Sequence, residues 1–86
     1  MSLLTENIIP GSHGKIFGTN AVHKEDLLEI KNALLKMHGI KDVIINLNVF
    51  PKEFTIYTTT LVKVENIQNV VEHLGFHAIP QGLFKL

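Results

Sequence analysis

The strongest constraint on this chain is a hydrophobic period that changes from helix to strand and back again. Leu27, Ile30, Leu34 and Met37 recur at spacings of three and four, with Leu28, Ala33 and Leu35 widening the stripe. That spacing predicts an amphipathic helix. Val43, Ile45, Leu47 and Val49 then alternate with Ile44, Asn46 and Asn48, which predicts a strand with one buried face. Phe50-Pro51-Lys52-Glu53 makes a tight connection, and residues 54–59 run back as the second arm of a hairpin. Ile67, Val70, Val71 and Leu74 return to helical spacing, stopped by Gly75. Neither helix stripe can bury itself, and 86 residues leave room for one core.

The ends of these elements carry their own signals. Glu25 and Asp26 fall in the first turn of the first helix, where carboxylates favour the positive dipole end. His38-Gly39 closes it, with Gly39 expected at C′. The second helix starts less clearly, after Lys63 and with Glu65 in its first turn. Lys15-Ile16-Phe17-Gly18-Thr19 reads as a strand, and residues 77–86 as a last one, broken by Pro80 and Gly82 into an edge, bend or bulge. Residues 1–14, with Pro10, Gly11 and Gly14 around Ser12 and His13, are expected to form a flexible N-terminal arm, leaving 15–86 as the domain. The order implies an α+β, ferredoxin-like βαββαβ two-layer sandwich: an antiparallel four-stranded sheet with both helices on one face. Its expected core is Ile16, Ile30, Leu34, Met37, Val43, Ile45, Leu47, Ile56, Ile67, Val71 and Leu74.

Composition removes several function classes. Lys+Arg and Asp+Glu number 8 each, so the net charge is zero and no basic surface for nucleic acid or anionic lipid is expected. The apolar stretches fall short of the roughly 18 residues that a membrane span needs. Residues 1–10 lack a basic start, so a soluble, cytoplasmic protein without membrane insertion is expected. The absence of cysteine excludes disulfides, thiol nucleophiles and thiolate metal sites. Ser2 and Ser12 lie in the arm without a base nearby in sequence, and no carboxylate pair reads as acid and base, so no enzyme is expected. Gly11, Gly14 and Gly18 do not open a helix after a strand, which rules out a phosphate loop. Phe17 and Tyr57 lack the basic and aromatic setting of RNA-stacking sheets.

From Lys15 to about Ile79 the chain resembles the heavy-metal-associated domain family of copper chaperones and metal-transport ATPases. Ile30, Leu34, Met37 and Gly39-Ile40 match the first helix and its exit. Val43-Ile44-Ile45-Asn46-Leu47 matches the second strand, and Ile67, Val70, Val71 and Leu74-Gly75-Phe76-His77-Ala78 match the second helix and the entry to the last strand. The resemblance implies a metal loop, Gly-Met-x-Cys-x-x-Cys, between the first strand and first helix, and docking to partners around it. Here that loop is Asn20-Ala21-Val22-His23-Lys24-Glu25-Asp26, with His23 and Asp26 in place of the cysteines and Ala21 in place of the methionine. Imidazole and carboxylate do not replace a thiolate pair for Cu(I).

His23 and Asp26 still suit a borderline ion, so weak Zn²⁺ or Cu²⁺ binding is one expectation, with His77 a third candidate ligand. The competing reading makes Glu25 and Asp26 dipole partners and His23 an exposed loop residue. His13, His23, His38, His73 and His77 are otherwise scattered, with His38 and His73 placed at helix C-termini. A further alternative keeps the scaffold without the metal, as a protein-interaction or regulatory module. In that form a homodimer through the edge at residues 41–49 is one option.

Overall fold

The computed structural model describes residues 8–85. Its elements are β1 (Ile8–Ile9), β2 (Gly14–Thr19), α1 (Lys24–Leu35), β3 (Ile40–Asn46), β4 (Glu53–Thr58), β5 (Val62–Lys63), α2 (Val64–His73) and β6 (Ala78–Lys85). The four long strands form one antiparallel sheet in the order β3-β4-β2-β6, and β1 pairs with β5 beside it. The expected α+β sandwich is the observed one, with a two-stranded ribbon added.

The sheet's helix-facing side is set by β2 and β4. Phe17 stands opposite Phe54, and their rings stack at 5.5 Å with planes 8° apart. Ile56 and Val43 share that side and are fully buried with Leu27, Ile30 and Leu34 of α1 and Ile67 and Val71 of α2. Met37, Ile45, Leu47 and Leu74 pack against this cluster from its margin. Ile16 does not belong to it. Strand side chains alternate, so burying Phe17 turns Ile16 to the open side, where it is half-buried. The larger ring with an aromatic partner takes the inner face. Tyr57 lies on the open side with its ring over Gly14, where an added Cβ would fall 2.7 Å from a ring carbon.

The helix ends differ. In α2, Gly75 has φ +92°, its N–H reaches Glu72 O at 3.0 Å, and the Phe76 N–H reaches Val71 O at 3.2 Å. Those two bonds are a complete Schellman closure. α1 stops at Leu35 with Lys36 as cap, two residues earlier than a C′ at Gly39 requires. Gly39 still needs its glycine: φ is +93°, and a Cβ would meet Thr60 Cγ2 and Val62 Cγ2 at 2.9 Å.

Part of the stretch expected to be an arm is packed into the domain. Ile8 and Ile9 pair with Lys63 and Val62, and Ile9 is fully buried. Thr58 Oγ1 donates to Pro10 O at 2.6 Å, and Gly14 already belongs to β2. The remainder of that stretch, 1–7, lies outside the described residues. Pro80 and Gly82 fall on the edge strand β6. Register shifts where β2 advances from Gly14 to Ile16 while β6 runs from Lys85 to Gln81, as the two breakers predict.

Phe17→Ala should lower stability by about 3–5 kcal/mol, against less than about 2 for Ile16→Ala. Chemical denaturation checks it, and equal losses would contradict the inner-face assignment.

Candidate functional site

Three connections meet at one end of the sheet. β2 ends at Thr19, whose N–H donates to Lys52 O at 3.0 Å and which pairs with Ala78 at the start of β6. The β2–α1 loop, the β3–β4 turn and the α2–β6 connection therefore lie together. This is where the sequence comparison with metal loops had placed its candidate ligands.

The β2–α1 loop is held by short-range bonds. Thr19 Oγ1 accepts the Ala21 N–H at 3.3 Å, and Ala21 is buried. Val22, next to it, is 54% exposed. His23 is the N-cap of α1 with extended backbone, but its side chain makes no capping hydrogen bond. Its carbonyl accepts the N–H groups of Asp26 at 3.0 Å and Leu27 at 3.2 Å. The imidazole is therefore solvent-exposed at the helix start, and Asp26 sits half-buried in the first turn beside Glu25. Their carboxylates lie at the positive dipole end.

His77 is exposed, and it approaches this loop through its backbone. Its N–H donates to Asn20 Oδ1 at 2.8 Å, a bond spanning 57 positions. Asn20 is the residue that sequence reasoning passed over. It ties the β2–α1 loop to the α2–β6 connection. Among the described residues, no three of histidine, cysteine, aspartate and glutamate come together in a group able to hold a metal ion. His23, Asp26 and His77 thus share one end of the fold without forming a three-ligand set. Phe50, in the β3–β4 turn at the same end, is 86% exposed, the most solvent-accessible of the large apolar side chains described.

The other histidines stand apart. His73 Nδ1 lies 3.1 Å from Asn69 O in the last turn of α2, and His13 Nδ1 lies 3.0 Å from Gly11 O. An open depression of about 450 Å³, lined by Ser12, Lys41, Asp42, Tyr57, Thr58 and Thr59, occupies the opposite end of the sheet. Phe17 is buried against Phe54, so it offers no stacking face to a base. No helix among the described residues is long and apolar enough to cross a membrane.

Asn20→Ala should destabilise the domain by about 1 kcal/mol and speed amide exchange at His77, with Asn20→Asp close to wild type. Denaturation and amide exchange measure both. Unchanged exchange at His77 in Asn20→Ala would remove the clamp.

No protein-family model matches the sequence, and no curated protein matches it. Solved structures do. The apo heavy-metal-associated domain of a copper chaperone for superoxide dismutase superposes with a TM-score of 0.68 at 18% identity, over 87% of this chain and 74% of that one. The first domain of the human copper chaperone for superoxide dismutase, loaded with copper(I), gives 0.69 at 18% identity, over 83% of this chain and 94% of that one. At that identity the likeness is one of fold, and the fold of this chain is that of the heavy-metal-associated domains of copper chaperones.

Proposed function

We propose that this is a non-enzymatic domain of the metal-transport and chaperone kind whose soft-metal site is lost, leaving at best weak Zn²⁺ or Cu²⁺ binding at His23 and Asp26. The observation that carries the reading is the placement of an exposed imidazole and a first-turn carboxylate at the β2–α1 loop of a copper-chaperone fold. Two borderline ligands, with no three-ligand group among the described residues, support weak, unselective binding rather than a built site. His77 is the residue best placed to join them, through a rearrangement of its side chain about the Asn20 clamp. Imidazole ligates only when deprotonated, so affinity falls on acidification.

A second reading rests on a different observation. Val22 and Phe50 expose apolar surface at that same end, around the loop through which the sequence resemblance implies docking. In this reading the domain has kept a protein-docking end and dispensed with the metal.

Calorimetric titration with Cu(I), Zn²⁺ and Cu²⁺ should give no tight Cu(I) binding and weak binding of the other two. His23→Ala should abolish the Zn²⁺ heat, and His77→Ala should reduce it less. Nanomolar Cu(I) affinity would refute the lost soft site. Zn²⁺ affinity unchanged by His23→Ala would leave the docking reading, with Val22 and Phe50 as its contacts.

A further inference from the structure

β3 is an edge strand of the four-stranded sheet, and the domain's own side chains occupy one of its free hydrogen-bonding groups and the carbonyl just past its end. The phase of the ladder fixes which groups are free. The Thr58 N–H donates to His13 O at 3.0 Å, the Ser12 N–H donates to Thr58 O at 2.9 Å, and Lys52 O receives the Thr19 N–H at 3.0 Å. Even-numbered residues from 52 to 58 therefore turn their backbone groups to β2, and odd-numbered ones turn theirs to β3. Val43 stands opposite Ile56 and Ile45 opposite Phe54. Their N–H and C=O groups point out of the sheet, and Leu47 follows the last residue of the strand.

These outward groups are what an added strand would pair with. One of them is already taken, and so is the carbonyl just past the end of the strand. Asp42 Oδ1 accepts the Val43 N–H at 2.8 Å, and Lys52 Nζ donates to Leu47 O at 3.0 Å. A register shift between Ile40 and Asp42 interrupts the strand just before the first of these bonds. What lies between them is adhesive: Val43, Ile44 and Ile45 are consecutive β-branched residues, and Ile44 is 48% exposed on the open face. A two-fold antiparallel pairing centred on Ile44 would set Val43 against Ile45 of a second copy. That register requires the Val43 N–H, the group Asp42 holds.

We infer that Asp42 and Lys52 are plugs that keep the β3 edge from adding a second copy of this chain. The homodimer through residues 41–49, named above as one option, is the state they oppose. Lys52 belongs to the β3–β4 turn at the loop end, but neither it nor Asp42 is used by the proposed function, so the device stands independently of that reading.

Sedimentation velocity across the micromolar range tests it, with far-UV circular dichroism as the check on folding. Wild type should remain monomeric, and the Asp42→Ala/Lys52→Ala double variant should dimerise with rising concentration. Asp42→Asn, whose amide oxygen can still accept the Val43 N–H, should stay monomeric. Amide exchange on Asp42→Ala alone should be faster at Val43 by roughly fivefold and unchanged at Ile45. A folded double variant that stays monomeric, or a wild type that dimerises, would overturn the inference. So would association of Asp42→Asn/Lys52→Ala equal to that of Asp42→Ala/Lys52→Ala, which would make charge repulsion the cause, and so would unchanged exchange at Val43.

Discussion

The stack of Phe17 on Phe54 is the contact from which the rest of the domain is laid out. It joins the two central strands at the middle of the inner face, with rings 5.5 Å apart. Once Phe17 faces inward, pleating decides the side of every other residue in β2. Gly14, Ile16 and Gly18 take the open face, and Lys15 and Thr19 take the helix face. Thr19 then stands where its hydroxyl can hold Ala21 and its N–H can hold Lys52. The geometry of the loop end is thus a consequence of an aromatic pair in the core.

That dependence explains what was legible in the sequence and what was not. The helices and the hairpin followed from period alone, because Ile30, Leu34, Val43, Ile56, Ile67 and Val71 repeat with unbroken spacing. The face of β2 did not, because Gly14, Lys15, Gly18 and Thr19 give no alternation on either side of the Ile16-Phe17 pair. β1 escaped notice for a different reason. A two-residue strand has no period, and its partners Val62 and Lys63 lie more than fifty positions away. Pro10 and Gly11 are loop residues in fact, but Ile8 and Ile9 just before them are paired with β5.

The site shows the same division. Counting back from Gly39 put His23 and Asp26 at the start of α1, where the structure also has them. Their surroundings were beyond local reading. The clamp from Asn20 to His77 bridges two loops 57 positions apart, and no spacing rule points to it. Asp42 and Lys52 carry no sequence signal of their role, because it depends on hydrogen bonds made once β3 and its turn are in place. Pattern locates side chains on elements. It does not report hydrogen bonds that form only once the elements pack.

The pairing of Gly14 with Lys85 has a mechanical meaning. β2 leaves that end of the sheet toward the three clustered loops, and β6 returns from them to it. The start of β2 and the end of β6 therefore sit side by side, at the pole opposite Val22, His23 and Phe50. A linkage made at Gly14 or Lys85 would therefore leave Val22, His23 and Phe50 clear of it.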